Sequence, residues 1–444
     1  MMVRLAAALS FLTIAGCYSP SIAPCIYECN GDACPSGLTC NRDINMCVAT
    51  ATDSCNGDAG TAIDAVPLDT TRCGWPGLSN VDPCALHADT TTDTWAANGI
   101  VNTDLISSFP TSITPVDVEM EGGKHALAIP LQMFSVASTQ SLKVMGERPL
   151  IIVTRMAMIN GPILVSGAIT TACPGVIDGM TYVGSGGTGS GSGSGGASGS
   201  SGGGAGGSYG ARGGNGGTGN TDVPAMMNLT DVPAGTGGNS IANPGPDELI
   251  PLRGGCAGGK GGSGVLGSSG LSPGGAGGAG GGAIQISSNT EIVLGSAIIA
   301  DGAGGIGVTA EHAGGGGGGA GGAILLEAPL ISYGNNANLC ANGGGGGTGG
   351  NAGHTGKTAS TCEQASGGAG VDDTTPNNGG GGAGGFSSLP GQRAGENGNS
   401  PGSERTPAYG GGGGGGGVGK IRVNGQTTGA VNASPAVSSG ALGS

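Results

Sequence analysis

From Leu131 onward, short apolar runs alternate with polar residues, and the runs recur. Ile284 and Ile286 flank Gln285, and Ile421 and Val423 alternate with Lys420, Arg422 and Asn424. Period-two alternation places the apolar side chains on one face of a β-strand. The stretch Gly282-Ala-Ile-Gln-Ile-Ser287 returns as Gly322-Ala-Ile-Leu-Leu-Glu327, forty residues on. Each copy continues in parallel, through Glu291–Gly295 to Ala300-Asp301-Gly302 and through Leu330–Gly334 to Ala341-Asn342-Gly343. An earlier copy spans Pro149–Val153, Met156–Gly161 and Pro162–Gly167, and a fragment closes the series at Gly419–Gly425. Each unit predicts three short strands separated by turns such as Asn160-Gly161 and Asp301-Gly302. One unit cannot bury its apolar face alone, so neighbours must stack. The expected fold is all-β, a parallel β-helix-like solenoid, with a β-sandwich as the alternative. No 3.6-residue apolar stripe argues for helices.

Glycine changes this picture. It supplies 104 of 444 residues, concentrated in tracts such as Gly184–Gly219, Gly314–Gly319 and Gly410–Gly417. On the solenoid reading these insertions leave one corner, once per turn. Two states are open to them: solvated linkers, or extended helices of the polyproline II type bundled backbone to backbone, as in polyglycine II. The organisation read from the chain is 1–16 signal peptide, 17–55 Cys-rich disulfide module, 56–72 linker and 73–183 β-rich region with the first unit. A Gly-rich tract follows at 184–281, then solenoid units with Gly-rich insertions at 282–425 and a flexible tail at 426–444. Trp75 and Trp95 are expected as packing anchors.

The amino terminus points to export. Arg4 precedes the apolar stretch Leu5–Ile14, which is shorter than the roughly 20 residues of a spanning helix. Leu12-Thr13-Ile14-Ala15-Gly16-Cys17 resembles the lipobox of bacterial lipoproteins. That resemblance implies cleavage before Cys17 and a lipid anchor on it, and Tyr18 in place of Asp implies the outer membrane. Of thirteen cysteines, twelve remain for pairing once Cys17 is set aside. Cys25, Cys29, Cys34, Cys40, Cys47 and Cys55 cluster in a piece too short for a core, so bridges must hold it, with a zinc knot, which some of these spacings permit, as the rival reading. Within that cluster, fifteen pairings are possible. Cys73 with Cys84 and Cys340 with Cys362 are local candidates, and Cys173 and Cys256 flank the first Gly-rich tract. Cys34–Cys40 resembles the small Cys-rich repeats of myxobacterial lipoproteins. Gly146–Val153 and Gly417–Asn424 mark a further resemblance, over residues 130–425, to Gly-rich lipoproteins of the same bacteria. It implies a cell-surface role and carries no activity.

Charge and motif chemistry mostly exclude. The net charge is −14, and the 15 Lys and Arg form no cluster, which speaks against nucleic acid as a partner. Gly254–Gly261 nearly spells a phosphate-binding loop, but Gly261 replaces the hydroxyl residue. Gly356-Lys357-Thr358 has Asn351 where the first Gly belongs. Ser201 and Ser208 sit in Gly-x-Ser-x-Gly contexts without the flanking strand and helix. Asn41–Asn45 hints at a calcium loop, yet Met46 and Thr52 stand at its Gly and Glu positions. His87, His125, His312 and His354 lack ligand spacing, and Glu291, Asp301, Glu327 and Arg422 are isolated along the chain. No catalytic, cofactor or metal set is read. An ice-binding surface needs a regular Thr array, which the strands lack. The leading expectation is a lipid-anchored cell-surface protein of structural or adhesive role, without catalysis. Its expected partners are the membrane, through Cys17, and surface polysaccharide or other surface proteins. The alternative is a carbohydrate-binding or polysaccharide-active β-helix protein, which requires titratable groups gathered on a strand face.

Overall fold

The structure, a computed structural model, describes residues 39–41, 46–48, 74–121, 123–167, 200–219, 236, 247–266, 270–310, 312–350, 353–358, 362–367, 381–385 and 410–442. The chain divides into two units, Met1–Pro67 and Leu68–Ser444. The division falls inside the segment 56–72 expected as a linker. In the first unit, β1 (Thr39–Asn41) pairs antiparallel with β2 (Met46–Val48), with Cys40 opposite Cys47.

The second unit is essentially all-β, with no α-helix among the described residues. A long strand and a short strand follow each other repeatedly. The pairs are β3 (Thr94–Ala96) with β4 (Gly99–Asn102), β6 (Lys124–Val136) with β7 (Leu142–Met145), and β8 (Leu150–Ile159) with β9 (Ile163–Val165). They continue as β12 (Ala283–Leu294) with β13 (Ala297–Ile299), β14 (Ala323–Tyr333) with β15 (Asn338–Cys340), and β16 (Lys420–Thr428) with β17 (Asn432–Ser434). A last strand, β18 (Ser438–Gly440), pairs with β16. The first members and β18 form one parallel sheet in sequence order, and the second members form another in the same order. The exceptions are β5 (Val116–Met120), antiparallel to β6, and a separate hairpin of β10 (Gly264–Leu266) and β11 (Gly270–Ser272). This parallel pairing is compatible with a β-helix-like fold.

The repeats found in the sequence pair as written. Leu150, Ile284, Ile324 and Ile421 stand side by side on adjacent strands, as do Ile152, Ile286, Leu326 and Val423. Leu142, Ile163, Ile298 and Leu339 make the matching row in the short sheet. The main core lies between these rows, and Trp95, Phe109 and Phe134 pack in it near the β3 end. Each such buried side chain contributes about 1.5–3 kcal/mol.

Three expectations need correction. The first two strands of a unit run on as one long strand, whose register shifts between Ser287 and Glu291 on one side and between Glu327 and Leu330 on the next. Two units, β3/β4 and β6/β7, precede the first copy recognised in the sequence. The expected tail at 426–444 carries the end of β16 together with β17 and β18, because Asn432 and Ser438 continue the registers of Asn338 and Arg422.

The described glycine segments are ordered by their backbones. With three residues per turn, successive N–H groups of an extended helix point in three directions. In the segment 312–322, Gly314, Gly317 and Ala320 donate to the carbonyls of Gly262, Gly259 and Cys256. Gly315, Gly318 and Gly321 donate to Gly411, Gly414 and Gly417, and Gly316, Gly319 and Gly322 to Ile306, Ala303 and Ala300. The intervening carbonyls accept from three further segments, through Gly275 and Gly278, Gly204 and Gly207, and Gly344 and Gly347. Six segments thus surround this one. A Cβ on Gly316, Gly317 or Gly318 would stand 1.9, 2.0 or 2.1 Å from the carbonyl oxygens of Ala276, Ala205 and Gly344. Of the tract Gly184–Gly219, residues 200–219 belong to this block, and the rest lie outside the described residues.

The block sits on the outer face of the long sheet. Ala320 and Tyr209 pack with Ala283, Ala323 and Leu325, and Trp75, Leu86, Leu249 and Leu252 complete that second apolar layer. Gly317→Ala is expected to destabilise the protein by at least about 3 kcal/mol, the upper range for overfilling a packed interior. Ala205→Gly, at a buried position of a neighbouring segment, should cost only about 1 kcal/mol. Urea unfolding followed by circular dichroism measures both, and equal effects would contradict the close packing.

Candidate functional site

Several outward positions of β12, β14 and β16 are polar, and the sequence presents them as an open face. Over the first half of each strand the structure buries them. Gln285 and Ser287 are fully buried, Glu327 is 1% exposed and Asn424 3%. Ser287, Glu327 and Asn424 are register partners on β12, β14 and β16. Their cover comes from far away in the chain. The Ser79 Oγ donates to Glu327 Oε1 at 2.7 Å, and the Ser79 amide lies 3.2 Å from both carboxylate oxygens. Gln285 Nε2 and Ser287 Oγ donate to Oε2 at 2.8 and 3.0 Å, and Asn424 Nδ2 to Oε1 at 3.0 Å.

All of these neighbours are donors, and an ionised carboxylate is acceptor only. Burial pushes the Glu327 carboxyl above its ordinary value, while the bonds from Ser79, Asn424 and Ser287 pull it down. Asn80 locks the same strap in place. Its backbone is left-handed (φ 63°), a conformation Asn tolerates. Its Oδ1 accepts from the Leu252 amide at 2.9 Å, and its Nδ2 donates to Leu249 O and Gln285 Oε1 at 3.0 Å each. The arrangement therefore clamps residues 79–80 across three strands. It sets no second carboxylate against Glu327, as glycosidic acid–base chemistry would need.

Two charged groupings lie nearer the surface. Lys420 Nζ donates to Asp247 Oδ1 at 2.6 Å, which together with the Lys420 charge holds that carboxyl below its ordinary value. Arg422 reaches Asp247 O at 3.3 Å and Asn424 Oδ1 at 3.0 Å. Gly210, Val418, Lys420, Pro435 and Ser438 line the adjoining groove, of about 180 Å³. At the other end, Arg148 lies between Asp104 and Asp117, at 3.9 and 3.7 Å, and His125 Nδ1 is 3.2 Å from Asp117. One guanidinium thus faces both carboxylates.

Other residues marked in the sequence fall into packing roles. Ser201 Oγ lies 2.7 Å from Gly262 O and 2.8 Å from His312 O, and Ser208 Oγ accepts from the Gly213 amide. Both serines therefore bond backbone inside the glycine block. Gly255, Gly258 and Gly261 of the near phosphate loop press against Gly321, Gly317 and Gly314. His312 is buried, while His87, His125 and His354 are exposed. No group of three or more His, Cys, Asp and Glu is placed to hold a metal among the described residues. Glu327 and Arg422 are linked through Asn424, which accepts from Arg422 Nε and donates to Glu327 Oε1, and Glu291 and Asp301 bond other partners.

Of the expected cysteine pairs, the described residues show one, Cys340 with Cys362. Cys340 and Cys362 form a disulfide with 4.9 Å between Cα atoms, and Cys84 and Cys256 are also disulfide-bonded. Cys17, Cys25, Cys29, Cys34, Cys55, Cys73 and Cys173 lie outside the described residues. No helix of the described residues is long and apolar enough to cross a membrane.

Among the described residues, Asp301 has a carboxyl raised into the physiological pH range. It is 8% exposed, its Oδ1 accepts from the Asn342 amide at 2.6 Å, and its Oδ2 has no partner. Burial pushes its carboxyl up to about 7, against the opposing pull of that amide. The folded state then holds its proton where the unfolded chain has released it. Its contribution is complete below about pH 4 and is lost as pH rises through about 7. Asp301→Asn should remove that slope and be more stable than the parent at pH 8 by about 2–4 kcal/mol. Thermal unfolding across pH 4–8 reads the difference, and parallel curves for the two proteins would refute it.

No family model, no curated protein and no solved structure matches this chain; its own geometry alone bears on its function.

Proposed function

We propose that this protein is a lipid-anchored cell-surface component with a structural or adhesive role and no catalysis. Its body is a parallel β-solenoid faced on one side by a block of polyglycine II helices. The Cys-rich module and the linker serve as a stalk from the lipid on Cys17. The observation that carries this reading is the burial of Gln285, Ser287, Glu327 and Asn424 beneath residues 79–80. A polysaccharide-active solenoid needs such a polar strand face open to substrate, and here the half of it before the register shift is spent on holding the cover down. What the block presents outward is largely backbone and small side chains, a surface suited to a coat or matrix.

A second reading, a carbohydrate-binding module, draws on the groove beside Lys420 and Asp247. Protease shaving of intact native cells, beside a Cys17→Ser strain, tests the main one. Release of the body from wild-type cells, with an unanchored mutant protein, is the expected result. Protection until the outer membrane is opened would place the body in the periplasm and sink the adhesive role. Retention of the purified protein on immobilised surface polysaccharide, lost in Lys420→Ala, would favour the second reading.

A further inference from the structure

The outer face of the long sheet changes character at the register shift. Before it, the face is roofed by residues 74–90 and the glycine block. Beyond it, two rows of outward residues lie open. One row runs Thr94, Met133, Met156, Glu291, Leu330 and Gln426. The other runs Ala96, Ser135, Met158, Val293, Ser332 and Thr428. Met133 is 39% exposed, and Met156 and Met158 are half-buried. Their inward neighbours Phe134 and Ala157 are fully buried in the main core, so the three methionines stand on a packed floor.

We propose that Met133, Met156 and Met158 form a binding site for a soft monovalent cation, copper(I) by its chemistry. Adjacent strands lie about 4.8 Å apart, and residues two apart on one strand about 6.6 Å. Three thioethers rooted at those spacings, each with three rotatable bonds, can reach a common ion above the sheet. Thioether sulfur is neutral and polarisable and selects copper(I) over hard cations such as magnesium. Glu291 follows Met156 in the same row, and its Oε1 is held at 2.6 Å by Ser332 Oγ. Its charge offsets that of the bound ion. Arg155, which precedes Met156 in the chain, is drawn away to the Asp89 carbonyl. Thioethers need not lose a proton to bind, so this site holds its ion with little dependence on pH, in contrast to Cys or His ligands.

The test uses the full chain with Cys17→Ser and its disulfides intact, labelled at the methionine ε-methyl groups. Silver(I), a redox-inert ion of the same class, is titrated and followed by NMR. Three ε-methyl signals should shift together, saturate at one equivalent and behave alike between pH 5.5 and 7.5. Leucine conserves methionine volume, so the combined Met133→Leu, Met156→Leu and Met158→Leu variant keeps its circular-dichroism spectrum and loses that equivalent. Met145→Leu, which removes an exposed methionine on the short sheet, keeps it. Equal silver uptake by the triple variant would overturn the site. So would shifts spread over Met145 as well, or the same response to magnesium.

Discussion

The close approach of glycine backbones is the constraint on which the rest of the structure depends. Ordering a residue costs about 1–2 kcal/mol, and a net hydrogen bond returns about 0.5–1.5 kcal/mol. A single tract therefore gains nothing by ordering alone. The segment 312–322 gains because its donors and acceptors are met from six sides at once. That arrangement tolerates no Cβ at Gly316, Gly317 or Gly318. Strands supply the anchors. The tract after β13 starts at Ala300 and returns at Gly322, and the Gly322 amide donates to Ala300 O. The Gly419 amide closes the next loop on Ala341 O in the same way. Sheet register thus becomes tract register, and the block in turn roofs the sheet through Ala320 and Tyr209.

That roof explains the polar ladder beneath it. Burying a carboxylate is costly unless donors surround it. Glu327 meets the condition because Ser79 arrives with two donors while Gln285, Ser287 and Asn424 supply the others. Removing the strap would take two of the five donors from Glu327 and the Asn80 donor from Gln285 Oε1, so the ladder and the strap hold each other in one geometry. Asp301 is the contrasting case. With one amide on Oδ1 and nothing on Oδ2, it keeps its proton to a much higher pH than a solvated Asp.

How far the sequence was legible follows from the range of each interaction. Alternation is local, so the pairing of Ile284 with Ile324 and Ile421 could be read from the chain. The β6/β7 unit escaped because Pro130 breaks its alternation and no glycine tract sets it off from β8. The turn expected near Ser288 was absorbed into a continuous strand, since Ser288 Oγ bonds the Arg155 carbonyl and caps the shift in register. Glycine composition is the same for a loose tract and a bundled one. The difference lies in whether partner tracts meet in phase, which no single tract encodes. Glu327 reads as an exposed strand residue because its cover lies 248 residues away. The methionines are invisible as a group for the same reason, since only strand register sets Met133 beside Met156.

These two kinds of order divide the labour in one molecule. The apolar rows specify which strands are neighbours, and they need side chains of the right shape. The glycine block specifies how far the loops between strands extend, and it needs side chains to be absent. With its residues consumed in backbone pairing, the described part of the glycine block itself contributes few charged groups to the exterior. Lys420 is paired with Asp247, and Arg148 is shared between Asp104 and Asp117. Contacts made by such a surface draw on fit and on backbone groups at the rim of the block. The backbone contacts at that rim are little screened by salt, because screening acts on exposed charge.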